Sequence, residues 1–482
     1  MFKVPDKCDF AKEKSIFFYI KSILSGNSIA HDRYHMNDLR FLSCFFIFSF
    51  ASCLAAYAQK KTSAAEVYRR RVDAVRAVPG LAAFWDFVQR EDGAGGKGKF
   101  VAVTDVEGER RFPLAPRNIS RDFWNDGDEA TLADFPLLGR GPFGQAFQIR
   151  KPRAQHDLPV LLVPRTDLHN TRIDVKGPGR SVSMVVWLIY QGDTHGIAGI
   201  WHEGTDTKPK GIPAETRVRG QRQYGMFAGL AANPGAASVH VSENGLTSFG
   251  NTYARHLAVA PDKMKKTPTG AAPEQLDAGW TTIGFVYDSE KKIVTAYNDG
   301  EALDYWVEEP AKTSFYAPAE RAWRQARLAR IPGLQEGEEP DFPHDQFYEP
   351  PESRPLKEVV ESETANERVV LLTYEFTKVR ERRKKSGRKF VTQERELVAL
   401  RANPWYFGHD IYAPASAEEG GPFTIGRVIH SNRHGTLEAW FGGVAVYDRV
   451  LGVDEMKKLS EIGKRDGPPV IRLDDVIRGR EK

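Results

Sequence analysis

The stretch from Gly279 to Gly300 leaves the chain few ways to fold. Ile283, Phe285 and Tyr287 alternate with Thr282, Gly284 and Val286, the period of two that puts successive side chains on opposite faces of a strand. The polar run Asp288-Ser289-Glu290-Lys291-Lys292 then reverses the chain into Ile293-Val294-Thr295-Ala296-Tyr297. Asn298-Asp299-Gly300 offers a second turn, whose glycine tolerates positive φ. Two reversals this close predict an antiparallel meander.

Similar apolar strands recur along the chain. Pro79-Gly80-Leu81-Ala82-Ala83-Phe84-Trp85-Asp86-Phe87 and Gly141-Pro142-Phe143-Gly144-Gln145-Ala146-Phe147 come first, then Ser181 to Tyr190 and Gly196 to Gly204. Gln223 to Leu230 and Ser238 to Ser242 follow, and Gly435 to Leu451 closes the series. Loops rich in Gly, Pro and Asn separate them, and helical periods are few, so the expected fold class is all-β. With 482 residues, 41% hydrophobic and 27% charged, the chain can bury a sizeable core. A formal net charge of +4 is too near balance to argue for nucleic acid as a partner.

The order of these segments resembles that of laminin-G-like domains in the concanavalin A-like lectin/glucanase superfamily. The resemblance rests on Trp280 with its strand ending in Tyr287-Asp288, the strand ending in Asp299-Gly300, and the opening and closing segments quoted above. It implies an antiparallel two-sheet jelly-roll sandwich over residues 79–463, broken by a long charged insertion at about 304–421. A helical spacer at 59–78 precedes the sandwich, a short carboxy-terminal helix ends it, and a polar tail occupies 464–482. The resemblance implies architecture more surely than activity, because one fold hosts many functions.

Residues 1–58 read as a signal region. Phe41 to Leu54 is a short apolar run followed by Ala56-Tyr57-Ala58, the pattern of an export signal with its cleavage site, and too short to span a bilayer comfortably. Met36 is a candidate true start. Export to the periplasm, the cell surface or the medium is expected; acylation of Cys53 as a lipoprotein and an uncleaved anchor are the alternatives. All three cysteines, Cys8, Cys44 and Cys53, lie in this region, so a processed chain keeps no thiol. Ser63-Ala64-Ala65-Glu66 reads as a capping box opening a helix with Tyr68, Val72 and Val75 on one stripe. Gly93-Ala94-Gly95-Gly96-Lys97-Gly98-Lys99 nearly matches a phosphate loop, but Phe100 stands where a Ser or Thr should bind magnesium and a strand follows, not a helix. A turn between strands is the expectation.

Within the insertion, the Pro- and Glu-rich part up to Asn366 is expected to drape over the surface, with a short helix around Arg321 to Arg330. Val369 to Thr377 and Phe390 to Leu400 read as a long hairpin whose basic tip spans Lys378 to Lys389. Such a tip either contacts an acidic polysaccharide or discourages edge-to-edge aggregation. After Leu451, Gly452-Val453-Asp454-Glu455 opens a helix carrying Met456 and Leu459, with Gly452 where the laminin-G-like family more often has a serine cap.

The densest polar constellation is Trp201, His202 and Glu203 with Arg222, Tyr224, His240, Tyr253, Arg255 and His256. An aromatic platform beside imidazole, guanidinium and carboxylate suits a sugar, whose ring face stacks while its hydroxyls take directional hydrogen bonds. The opposing expectation makes Trp201 and Tyr224 core residues. The Glu-x-Asp-x-x-Glu strand of the superfamily's glucanases is missing, as are a His-Glu-x-x-His helix and a Gly-x-Ser-x-Gly elbow. The resemblance raises calcium as a cofactor, with Asp193, Asp206 and Asp288 as candidate donors. Three readings stay open: a non-catalytic module binding a glycan or glycosylated surface, a carbohydrate-active hydrolase using His202 and Glu203, and an adhesive envelope protein binding another extracellular protein.

Overall fold

The computed structural model describes residues 63–92, 98–204, 219–229, 233–245, 257–328, 348–429, 435, 437–464 and 470–479. Two antiparallel sheets pack face to face as a jelly-roll sandwich. The first has nine strands, in the order Trp405–Tyr406, Ile293–Asn298, Trp280–Asp288, Val182–Gly192, Glu438–Tyr447, Leu81–Trp85, Ala102–Val103 and Arg110–Arg111, with Phe147–Ile149 also paired to Glu438–Tyr447. The second has seven: Leu257–Lys263, Ala236–Val241, Gln221–Ala228, Gly196–His202, Phe423–Ile425, Pro159–Val163 and Ala115–Asn118. The opening strand Leu81–Trp85 lies beside the closing strand, with Phe84 opposite Ala445.

The meander that constrains the sequence behaves as its alternation requires. Ile283 pairs with Asn298 and Asp288 with Ile293, and Gly300 takes a φ of +82°. Ile283, Phe285 and Tyr287 enter the main core between the sheets. Val286 on the opposite face joins a second core with Val72 and Val75 of the Ala64–Arg76 helix and Met456 and Leu459 of the Val453–Ser460 helix. Both faces of the nine-stranded sheet are thus covered, which is why every residue of Val182–Gly192 is buried. Gly284 is what lets the later helix approach: a Cβ there would lie 2.4 Å from Met456 Cε and 2.8 Å from the Met184 carbonyl oxygen.

Both helices start as the sequence predicts. Ser63 and Glu66 close a reciprocal capping box, with the Ser63 N–H donating to Glu66 Oε2 at 2.8 Å and the Glu66 N–H to Ser63 Oγ at 3.2 Å. Gly452 has no side chain to cap with, but its N–H donates to Glu455 Oε2 at 2.9 Å, so half of the box survives. Phe100 is buried in the main core. Residues 93–97 and the signal region lie outside the described residues. Among the described residues no helix is long and apolar enough to cross a membrane.

The insertion corrects two expectations. Its first part does not simply drape: it forms a strand at Tyr305–Glu308, a helix at Ala317–Leu328 whose Trp323 is buried, and the edge strand Lys357–Glu363. Most of the basic stretch is not tip but strand, Thr377–Ser386, in a five-stranded sheet; the tip itself is shorter than expected, the turn to Lys389–Asn403 being confined to Gly387 and Arg388. Cross-strand carboxylates neutralise the arginines. Arg380 donates to Glu361 (2.7 Å) and Glu396 (2.8 Å), and Arg382 pairs with Glu394 at 3.2 Å. Beneath, Arg395 joins Glu352 (2.8 Å) to Glu381 (3.2 Å), and the Trp323 indole N–H donates to Glu352 at 2.8 Å. Glu352 and Glu381 are enclosed and ion-paired, whereas Lys384, Lys385, Arg388 and Lys389 stand exposed at the far end of the hairpin.

Candidate functional site

Strand alternation divides the predicted constellation. Gly225 pairs with Gly199 and His240, while Tyr224 pairs with Ile200 and Val241. Trp201, Phe227 and His240 therefore share the face turned away from the nine-stranded sheet. There the rings of Trp201 and His240 are 5.4 Å apart, Phe227 and His240 5.0 Å, and the Arg222 guanidinium lies 5.8 Å from the Trp201 ring centre. Arg222 also donates to the backbone carbonyl of Glu203 and approaches its carboxylate at 3.9 Å. Tyr224 points the other way, 6.1 Å from Phe285, and its hydroxyl donates to the Ile173 carbonyl at 2.6 Å. Burial pushes the Tyr224 phenol well above its ordinary range.

Trp201, Arg222, Tyr224 and His240 are all at most 1% exposed, so their aromatic surface is core and not a platform for a ligand. Tyr253, Arg255 and His256 lie outside the described residues. His202 is different. It ends its strand, and its ring stands edge-on to Phe123 with centroids 4.7 Å apart. Phe123 in turn meets Trp124 at 4.7 Å, and both of these rings are half-buried. Sequence reasoning missed the pair.

Local structure explains how Phe123 and Trp124 are held. They close a six-residue helix, Ile119–Trp124, that ends in the left-handed Asn125 (φ 54°). Asn118 caps it: its Oδ1 accepts from the Ser120 and Leu158 N–H groups at 3.1 Å each, and its Nδ2 donates to the carbonyls of Asp128 and His156 at 2.9 Å. Ser120 Oγ adds a bond to the Gln155 carbonyl at 2.7 Å. Ile119, packed with Leu158 and Val160, forms the apolar base under the two rings.

The same fixing extends to the imidazole. Gln221 Nε2 donates to the Glu418 carbonyl at 2.9 Å, which turns Gln221 Oε1 toward His202 Nδ1 at 2.8 Å. An amide oxygen only accepts, so Nδ1 carries the proton and Nε2 presents a lone pair. Among the described residues Nε2 has no partner. Burial drives the imidazole down to about 4; the bond to Gln221 opposes that shift and the Arg222 charge reinforces it. At neutral pH His202 is thus an uncharged acceptor beside an aromatic edge.

A second polar group stands at the same end of the seven-stranded sheet. Arg165 grips the buried Asp174 with two bonds of 2.7 and 3.1 Å, and Lys176 (2.7 Å), the Asn170 N–H (2.9 Å) and Gln223 (3.1 Å) complete its shell. Burial opposes ionisation of Asp174, but the bonds from Arg165, Lys176 and Asn170 outweigh it and hold the carboxyl below its usual range. Gly420 packs against this guanidinium, so the network braces the rim.

Of the candidate calcium donors, Asp206 lies outside the described residues. Asp193 follows the end of Val182–Gly192 and Asp288 ends Trp280–Asp288, and these strands are antiparallel, with Trp280 opposite Ile189 and Tyr287 opposite Val182. The two carboxylates sit at opposite ends of the pair, more than about 30 Å apart at strand spacing, and cannot share an ion. Among the described residues no group of three or more His, Cys, Asp or Glu side chains is placed to hold a metal.

No family model matches the chain, and no curated protein matches it. Among solved structures it is similar to the ligand-binding domain of botulinum neurotoxin serotype D in complex with N-acetylneuraminic acid, at 7% identity over 80% of this chain and 52% of that one, TM-score 0.30. It is also similar to the binding domain of Paraclostridial Mosquitocidal Protein 1, at 6% identity over 80% and 52%, TM-score 0.30. Domain 4 of AbnA, a GH43 extracellular arabinanase from Geobacillus stearothermophilus in complex with arabinotriose, matches at 10% identity over 79% and 98%, TM-score 0.32. The chain spans about half the length of the first two. Likenesses this distant carry no argument about ligand or ancestry.

Proposed function

We propose that this chain is an exported, non-catalytic binding module of the laminin-G-like kind that recognises a carbohydrate or a glycosylated surface. The observation that carries the reading is the shelf made by Phe123, Trp124 and His202. Two half-buried rings offer apolar faces for a sugar ring, and His202 Nε2 offers a directional acceptor for one hydroxyl. Every part is fixed before a ligand arrives: the rings by the Asn118 cap, the imidazole by Gln221 and Glu418. Such pre-formed sites lose little entropy on binding. The site takes no bond-making step. His202 and Glu203, the pair a hydrolase would use, diverge, since the carboxylate turns toward Arg222 and the imidazole toward Phe123.

The test is a glycan array probed with the purified protein and with Phe123→Ala, with and without calcium, followed by incubation of any hit to look for cleavage. Retention of an intact glycan by the parent protein, weakened about tenfold in the variant, supports the reading. Cleavage of the hit supports the hydrolase instead.

A further inference from the structure

A cleft of about 220 Å3 opens between the Ala64–Arg76 helix and the Ala102–Val103 and Arg110–Arg111 edge of the nine-stranded sheet. It belongs to a different sheet from the Phe123 shelf and is independent of that site. Its floor is a rigid polar relay. The Tyr68 hydroxyl donates its only proton to Asp86 Oδ2 at 2.6 Å, so it must accept from Gln89 Nε2, also at 2.6 Å. Asp86 is itself locked, its Oδ1 accepting the Val88 and Gln89 N–H groups at 2.8 and 2.9 Å.

This chain of donors fixes the Gln89 amide. Its nitrogen faces Tyr68, so its carbonyl oxygen is turned from the relay, and among the described residues that oxygen has no partner. Gln89 is only 8% exposed as a residue, and its carbonyl oxygen remains open to the cleft, where it can accept from an incoming O–H or N–H. Above the floor the walls are Val72, Val103 and Val106. At the mouth stand Arg69, Arg76 and Arg110 against Asp73 and Glu109. The two acids are already engaged, Asp73 with Arg76 at 3.8 Å and Glu109 with Arg111 at 3.7 Å and the Thr104 hydroxyl. The mouth therefore keeps an unbalanced guanidinium charge.

From floor to mouth the cleft asks for a donor, then an apolar ring face, then an anion. We infer that it is a second binding site, holding one pyranose-sized sugar residue that carries a carboxylate. A hydroxyl would donate to Gln89 Oε1, the C–H face of the ring would pack on the valines, and the carboxylate would meet Arg69 and Arg110. Guanidinium groups are suited to that last contact because they bind carboxylates with two parallel bonds.

The experiment titrates the full chain with D-glucuronate, with D-glucose and acetate as controls, and follows binding by calorimetry. Saturable binding of glucuronate, at least about tenfold tighter than either control, is expected. Gln89→Leu, which removes the acceptor together with the Nε2 bond to Tyr68, is expected to weaken it at least about fivefold. Val106 is 59% exposed, so Val106→Trp can fill the mouth without touching the core and is expected to abolish binding at unchanged stability. Phe123→Ala is expected to leave it unaltered, which separates this site from the shelf. No saturable glucuronate binding, or binding that survives Val106→Trp, overturns the inference.

Discussion

Replacing His202 with glutamine isolates what it costs to keep an imidazole buried and uncharged. The folded protein holds His202 near 4, whereas an ordinary histidine titrates at 6.5. Between those two values the unfolded chain binds a proton that the folded chain does not. Acidification therefore favours unfolding: the stability contribution is whole above pH 6.5 and is lost as pH falls through 4. At roughly 1.4 kcal/mol per pH unit the gap corresponds to about 3 kcal/mol. Glutamine keeps an N–H donor for Gln221 but cannot titrate. Urea unfolding of both proteins from pH 7 to pH 4 should show the parent losing about 3 kcal/mol more than the variant, with most of the difference developing below pH 6. The other carboxylates and histidines titrate in both proteins and cancel. Two stability curves that fall in parallel would mean that His202 accepts its proton in the folded state at little cost, and the enclosed geometry argued for it would be refuted.

Other consequences are as direct. Binding at the shelf should be level from pH 8 to pH 5 and fall near pH 4, where protonation of His202 converts Nε2 from acceptor to donor; a titration of affinity against pH checks this. Arg395→Met should cost about 1 to 3 kcal/mol, because Glu352 and Glu381 lose their shared cation but keep Trp323 and Arg383 as partners, whereas Arg382→Ala on the solvent face should change stability by less than about 1 kcal/mol, as thermal unfolding of the two variants would show. Gly284→Ala should lose about 1 to 3 kcal/mol, because its methyl group meets Met456 and the Met184 carbonyl.

How much of this was legible in the sequence depended on where the deciding contacts lie. The Gly279–Gly300 meander was legible because its strands are buried by local alternation and its turns use residues suited to reversal. The Ser63–Glu66 box was legible because its partners are three residues apart. Lys378 to Lys389 was not, since a run of Arg and Lys becomes a strand only when Glu361, Glu394 and Glu396 arrive from neighbouring strands to oppose it. The site was half legible. Trp201, Arg222 and His240 do come together, but they are buried on the face turned away from the nine-stranded sheet, and alternation sent Tyr224 to the core between the sheets. His202 belongs instead with Phe123, and nothing local marks a contact between residues so far apart in the chain. Two adjacent aromatics in an otherwise polar segment, just after an Asn cap, were the signal available.

Carbohydrate recognition at the Phe123 shelf is tested most directly by comparing the parent protein with Phe123→Ala and Trp124→Ala on one glycan array. The account predicts that the parent retains at least one glycan without cleaving it and that each variant loses affinity for that glycan by about tenfold while still unfolding cooperatively. A blank array for the parent, or equal binding by all three proteins, would contradict it.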